Sequence, residues 1–226
     1  MRDLSNWRGC PAPDLKKVRG RYVAIEPAVF PDCAPALFSV LGGSANDGLW
    51  SYIPIGPFQN ADAFSAAMSA AIAQQNWKTQ LFRDAVTDAP LGMASYMRIR
   101  PEAGSAEVGC VVFSKALQKT PAATEAMYLM AKHLFDDLGY RRYEWKCNNA
   151  NEASKRAALR LGFSFEGVFR QDQVVKGKNR DTAWYSMIDK EWPAVKCAFE
   201  AWLAPENFDV EGRQKRSLKA IRENAF

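Results

Sequence analysis

Asn151 and Ser154 stand one helical turn apart, directly after the strand-like run Arg142-Tyr143-Glu144-Trp145-Lys146-Cys147. Positions three apart share one face of a helix, so a carboxamide and a hydroxyl are presented together where strand gives way to helix. A carboxamide there can hold the extended arm of a small acyl carrier, and a hydroxyl can protonate a departing thiolate. A purely structural account also exists. Asn151 as an N-cap explains its own presence and leaves Ser154 as an exposed residue of the first turn.

Two carboxylates stand nearby. Alternation along 142–147 puts Arg142, Glu144 and Lys146 on one face and Tyr143, Trp145 and Cys147 on the other. Three charges on one face of a strand must be paired, solvated at an edge, or turned to a cleft. Pairing with neighbouring strands would be structural only; facing a cleft makes Glu144 a candidate base. Glu107, on an earlier strand, is the other candidate, and the sequence does not choose between them. A base matters if the chemistry is amine acylation, which needs a neutral nitrogen. An alkyl amine of pKa ~10.4 is neutral about once in 2,500 molecules at pH 7, a penalty of roughly 4–5 kcal/mol. An α-amine with pKa near ~8 reduces this to about 1–1.5 kcal/mol.

The third feature is the loop Ser114–Thr124, which carries Lys115 and Lys119 and ends in Thr120-Pro121-Ala122-Ala123-Thr124. It joins a strand to a helix N-terminus, where unpaired N–H groups and the helix dipole favour an anion. Small residues at 122 and 123 would let a pyrophosphate approach. A well-capped core helix accounts for Thr120-Pro121 equally well.

These residues must be positioned by recognisable elements. Arg21–Glu26 alternates as a strand and stops at Pro27. Residues 28–77 hold helical material, clearest over Ala61–Gln75 with Asn60 as cap, interrupted by Gly42-Gly43, Pro54 and Pro57. Strands follow at Thr79–Ala85 and Leu91–Ile99, joined through Asp88-Ala89-Pro90, and at Ala106–Phe113, where Gly109 suggests a bulge. A helix opening at Thr120-Pro121 carries the apolar stripe Ala123, Met127, Met130, Leu134 and Leu138 and stops at Gly139. It would run about five turns, near ~27 Å. After strand 142–147 come a short helix over 151–161 and Gly162. A long hairpin, Phe163–Val175 with Arg180–Ile188, then turns about Lys176–Asn179. Beyond Glu191-Trp192-Pro193 a helical extension is expected to run to the end. This order predicts a mixed α/β (α+β) domain over 20–193, preceded by a surface arm at 1–19 and followed by the extension at 194–226.

Taken together, the stretches resemble the GNAT superfamily of N-acetyltransferases, in particular the branch that includes ribosomal-protein-alanine acetyltransferases. The resemblance runs from about Gly20 to Trp192. It is densest over Thr120–Phe169 and at Asp181-Thr182-Ala183-Trp184-Tyr185-Ser186 with Glu191-Trp192. The family pattern of Asn, Ser and Gly-Phe is matched by Asn151, Ser154 and Gly162-Phe163. The resemblance implies a mostly antiparallel central sheet with helices on both faces, whose middle strands, ending at Phe113 and over 142–147, splay apart. It implies acetyl-coenzyme A as cosubstrate, held by Val111, Phe113, Gln118, Lys119, Thr120, Ala122, Ala123, Thr124, Asn151, Ser154 and Arg156, with no metal. It further implies direct acetyl transfer through a tetrahedral intermediate, with amides near Gly109 facing the oxyanion. The catalytic set would be Ser154 as proton donor and Glu144 or Glu107 as base. Arg156 and Arg160 would reach the 3′-phosphate, or simply form a solvated helix face. One departure stands out: the family loop reads Arg/Gln-x-x-Gly-x-Gly/Ala, whereas Gln118-Lys119-Thr120-Pro121-Ala122-Ala123 lacks both glycines, and Pro121 removes an amide donor. A coenzyme-binding module that has lost turnover is therefore the alternative.

The remaining features narrow the class. The 226 residues are 48% hydrophobic and 24% charged, the make-up of a globular protein. No apolar run reaches the ~18 residues of a membrane span, and the amino-terminal stretch has no apolar leader core, so a cytoplasmic location is expected. Cys10, Cys33, Cys110, Cys147 and Cys197 lack CxxC spacing and read as reduced thiols. His133, the only histidine, falls on the polar side of its helix. The net charge of +5 is concentrated partly in Arg213–Lys219. That run reads as a solvated helix, with no aromatic platform for nucleic acid. The expected partner is an amine acceptor, either a small molecule or a protein N-terminus; a homodimer stays open.

Overall fold

Alternating apolar strands and one amphipathic crossover helix assemble a single sheet, described by a computed structural model for residues 3–224. The first two residues of the expected arm and the last two of the expected extension lie outside them. In chain order the elements are β1 (Val18–Arg19), β2 (Val23–Pro27), α1 (Ala34–Leu41), a 3-10 segment (Ser44–Trp50), α2 (Ala61–Gln75), β3 (Lys78–Asp84), β4 (Pro90–Arg100) and β5 (Ser105–Phe113). Then come α3 (Pro121–Lys132), β6 (Arg142–Asn148), α4 (Glu152–Leu161), β7 (Ser164–Val175), β8 (Lys178–Ile188), α5 (Trp192–Leu203) and α6 (Leu218–Glu223).

The eight strands lie in the order β1-β2-β3-β4-β5-β6-β8-β7. All neighbours are antiparallel except β5 and β6, which are parallel. A parallel pair needs a crossover connection, and α3 supplies it. One apolar core lies between the sheet and α3–α6, including Val23, Tyr96, Val108, Met130, Trp145, Phe163 and Phe199. A second lies under α1 and α2 and includes Leu37, Trp50, Phe64, Leu81, Met93 and Val112. The expected mixed fold with helices on both faces is the one observed.

Bulges re-aim the strands that matter most. On β5, Gly109 pairs with Ser95 but Val112 pairs with Met93, so three steps on β5 oppose two on β4. The extra residue is absorbed at Cys110, whose φ is 46°. Alternation is thereby inverted: Ala106 and Val108 pack on the α3 side, Cys110 and Val112 on the α1–α2 side. A second irregularity on β4, between Met97 and Arg100, places Arg98 at φ 44°.

Three expectations are corrected. The α3 helix does not run to Gly139 as an α-helix; it closes in a π turn over His133–Asp137, with the Leu138 N–H donating to the His133 carbonyl. His133 is buried rather than polar-facing, because it stands three residues after Met130 and seven after Ala126, on the same buried face of the helix. It packs against Tyr96, with Nδ1 3.0 Å from Asp137. The C-terminal extension is not one helix. After α5, Pro205 and a turn held by Asp209, which accepts from Glu211 and Arg213, break the chain before α6. The basic run 213–217 is consequently not helical. Finally, the β7–β8 hairpin turns on two residues, Lys176 and Gly177, rather than four; both have positive φ, as this tight turn requires.

Candidate active site

The β5–β6 pair stops early. Ladder partners run only from Ser105–Arg142 to Val108–Trp145, although β5 continues to Phe113 and β6 to Asn148. Beyond Val108 the backbone of β5 has no strand partner on its β6 side among the described residues. A slot lined by peptide groups therefore opens between the strands. Val111 and Phe113 lie half-buried along it. Gly109 sits at its mouth, where a Cβ would meet the Met97 sulfur at 2.3 Å and the Glu107 carboxylate at 3.1 Å, so a side chain there would have to displace Met97.

On the α4 side of the slot, Asn151 caps the helix, its Oδ1 accepting from the Ser154 N–H at 3.1 Å. Ser154 is half-buried rather than exposed, and its Oγ accepts a 2.9 Å hydrogen bond from the Trp145 indole. An indole can only donate, so the serine's own O–H stays available to give. Cys147 is beside it; burial pushes that thiol up, and the Ser154 hydroxyl partly offsets the effect. Arg156 is exposed. Arg160, by contrast, is no solvated residue: it donates to the Thr124 hydroxyl at 3.0 Å and lies 5.0 Å over the Trp202 ring.

The loop before α3 is largely self-satisfied. Ser114 N–H pairs with Leu91, Leu117 and Gln118 amides with Ser114, and Thr120 N–H with Leu117. The Gln118 side chain ties the loop to the Phe113 carbonyl at 2.9 Å, and Thr120 caps α3 by accepting from Ala123. Among the described residues, the loop amides of Lys115, Ala116, Lys119 and Ala122 are left without a partner. Lys119 holds a left-handed φ of 62°, a conformation that turns successive amides outward. Ala122 and Thr124 are buried, and Ala123 is half-buried. The unpaired amides, the cationic side chain of Lys119 and the open edge of β5 fit an extended pyrophosphate-bearing thioester carrier.

The other face of the sheet holds the carboxylates. Glu107 and Glu144 are direct register partners across the parallel pair. Lys146 lies between them, its Nζ 3.0 Å from Glu107 and 2.8 Å from Glu144. All three side chains are nearly inaccessible, at 3% for Lys146, 7% for Glu107 and 2% for Glu144. Lys146 also rests 3.8 Å above the ring of Trp184. Arg98 reaches Glu107 at 3.0 Å, while Arg100 and Arg142 both reach Glu144, at 2.7 and 2.8 Å. Arg142 continues to Glu166, which also accepts from Ser186. The consequences differ for the two acids. Burial pushes Glu107 up by more than Lys146 and Arg98 pull it down. Burial would raise Glu144 too, but the hydrogen bonds of Lys146 and Arg142, with the charges of Lys146 and Arg100, hold it below the ordinary glutamate value.

A roof closes this face. The segment after the 3-10 turn reaches both sides of the site: Tyr52 donates to the Ala150 carbonyl at 3.3 Å, and Lys176 from the β7–β8 turn donates to the Trp50 carbonyl at 2.9 Å. The structure thus brings Glu107 and Glu144 together on the α1–α2 face, and Asn151, Ser154 and the 118–123 loop together on the α3–α4 face. Lys146 was visible in the sequence only as one charge of three. The roles of Arg98, Trp145 and Trp184 left no readable signal, because Arg98 depends on the β4 bulge and the two indoles on which strands become neighbours.

Comparison with known proteins agrees with this geometry. Residues 31–164 match the family described as the acetyltransferase (GNAT) domain. The crystal structure of a GCN5-related N-acetyltransferase from Brucella melitensis superimposes with a TM-score of 0.92, at 41% identity over 97% of this chain and 100% of that one. A ribosomal-protein-serine acetyltransferase of Escherichia coli is 25% identical over 56% of this chain and 70% of its own length. A Bacillus subtilis protein provisionally named a ribosomal N-acetyltransferase is 28% identical over 46% of this chain, a match spanning 57% of that relative's length. With a family match across more than half of its residues, and the parted strands that fold uses, the chain belongs to the GNAT family of N-acetyltransferases.

Proposed function

We propose that the protein transfers an acetyl group from acetyl-coenzyme A to a primary amine, with Glu107 as the base, Ser154 as the proton donor to the leaving thiolate, and Asn151 with the 118–123 loop holding the coenzyme. The observation that carries this reading is the parted β5–β6 pair. Glu107 and Ser154 lie toward opposite faces of the sheet, and the slot connects the two. A donor entering from the α3–α4 face and an acceptor entering from the α1–α2 face would meet there.

The thioester supplies an activated acyl carbon when bound. The protein's own residues do the rest. Glu107, raised by burial, is the more basic of the two carboxylates and takes the acceptor's proton; Glu144, held ionised by three cations, keeps the floor of the site in place. Backbone N–H groups at the Cys110 bulge face the carbonyl oxygen as charge develops. Ser154, oriented by Trp145, gives its proton to sulfur. The lost glycines of the 118–123 loop do not remove its capacity for an anion, since the Lys119 and Ala122 amides stay unpaired. One relative is named a ribosomal-protein-serine acetyltransferase, and an N-terminal α-amine asks least of Glu107, which favours a protein or peptide N-terminus as acceptor.

The test is release of free thiol from acetyl-coenzyme A across a panel of N-terminal peptides, polyamines and small amines. Turnover with at least one amine is expected. No thiol with any of them, together with no calorimetric heat on adding coenzyme A, would overturn the reading.

A further inference from the structure

Glu107 and Glu144 pose an electrostatic problem that the rest of the site must solve. Register partners on adjacent strands lie about 5 Å apart at the backbone, and two buried carboxylates so close do not both ionise unless a cation intervenes. Among the described residues, Lys146 is the one cation that contacts both. The groups facing Glu107 are Lys146 and Glu144 from β6 and Arg98 from β4. Beyond them, Arg100 from β4, Arg142 from β6 and Glu166 from β7 all lean on the Glu144 side. Arg98 is half exposed, so its influence on Glu107 is weakened by water. Beneath the ammonium, the Trp184 ring is packed 4.6 Å from Phe169, and its indole nitrogen is buried without a hydrogen-bond partner. The ring is therefore fixed by packing and by the cation, and it offers the ammonium a π face where water would otherwise stand.

We propose that Lys146, clamped on the Trp184 ring, is the positioning residue that makes Glu107 and not Glu144 the carboxylate free to exchange the acceptor's proton. With its charge shared between the two acids, Glu144 also holds the partly buried Arg142 and the half-exposed Arg100 and stays an anion, while Glu107 keeps one strong partner and one screened one. In the step this supports, the acceptor N–H bond breaks and a Glu107 O–H bond forms as nitrogen attacks. The inference rests on Glu107 serving as the base, and the experiment separates the two claims.

The carboxyl carbons of the full-length protein, labelled with 13C-glutamate, are followed by NMR against pH, with E107Q and E144Q used to assign the two signals. In the unmutated protein Glu144 is expected to titrate below Glu107; the reverse order overturns the inference without any Lys146 variant having to fold. In K146Q, which keeps hydrogen-bonding capacity but no charge, the Glu107 midpoint is expected to rise by about one pH unit or more. The acid limb of kcat/KM should rise with it, giving a roughly tenfold loss below the limb that recovers at higher pH. K146R should restore both. An unmoved Glu107 midpoint in folded K146Q overturns the role of Lys146. A moved midpoint with an unmoved rate limb supports that role and overturns the assignment of Glu107 as base instead.

Discussion

Replacing Ser154 by alanine separates chemistry from stability in a way the structure makes calculable. The Trp145 indole is nearly buried and donates to Ser154 at 2.9 Å. Removing the acceptor leaves that N–H unsatisfied at a cost of about 1–3 kcal/mol. For a protein of this size each kcal/mol is worth about 2–4 °C, so the Tm should fall by roughly 2–12 °C. The chemical loss has a different origin. A thiol of ordinary pKa ~8.5 is a fair leaving group near neutral pH, so the demand on a proton donor sits at the low end of general acid catalysis. A loss of about 10²-fold in kcat is expected, equivalent to about 2.7 kcal/mol of barrier. Coenzyme affinity should change by less than about threefold. The companion W145F keeps the hydroxyl but releases its orientation and should lose only about 3–10-fold in kcat. The assay is initial thiol release at a temperature well below both melting points, with titration calorimetry for the coenzyme and a thermal melt for each variant. S154A retaining its kcat, or losing activity only through a weaker coenzyme complex, would refute the reasoning.

Asn151→Ala should weaken coenzyme binding and also cost about 1 kcal/mol of stability through the lost cap to Ser154 N–H; calorimetry paired with urea unfolding reads both, and a stability loss alone would leave only the cap. E107Q should lower kcat by about 10²–10⁴-fold with a modest change in Tm, whereas E144Q should act chiefly on stability, by about 3–5 kcal/mol, by stranding Lys146 and its arginine neighbours. Acid should discriminate too: Glu144 is held below its ordinary value, so its stabilisation is present above about pH 4.5 and is lost as pH falls through its folded value. Stability of E144Q measured from pH 6 to pH 3 should therefore fall less steeply than that of the unmutated protein. E125Q removes a buried carboxylate that accepts from three consecutive amides, Arg21, Tyr22 and Val23. It should cost about 3–5 kcal/mol in urea unfolding, leaving coenzyme affinity at low temperature intact.

Periodicity and capping located β2–β8, α2, α4 and the start of α3 within a residue or two, because local signals such as Asn60, Thr120-Pro121 and Gly162 act where they stand. The Asn151–Ser154 pair was legible for the same reason. Features that depend on counting across strands were not. Gly109 marked the β5 bulge, yet nothing in the sequence said that Cys110 would take the extra residue and invert the faces of the rest of the strand. The end of α3 was misplaced because a π turn closes the helix early without any breaker residue to announce it. The choice between Glu107 and Glu144 was beyond the sequence altogether. The choice proposed here rests on two arginines, Arg100 from β4 and Arg142 from β6, that reach Glu144, and on Lys146, which both acids share.

Arg222 reaches back 62 residues to Arg160, its guanidinium bonding the carbonyls of Arg160 and Leu159 at 3.0 and 3.1 Å. Gly162, left-handed at φ 99°, leaves room for it; a Cβ there would stand 3.2 Å from that guanidinium. The far end of the helix that begins with Asn151 and Ser154 is thus stitched by a residue synthesised much later. Without Arg222 the Arg160 carbonyl loses this donor, while the Leu159 carbonyl keeps the Gly162 N–H. Truncations or bulky fusions at this terminus should accordingly register in turnover, not merely in yield.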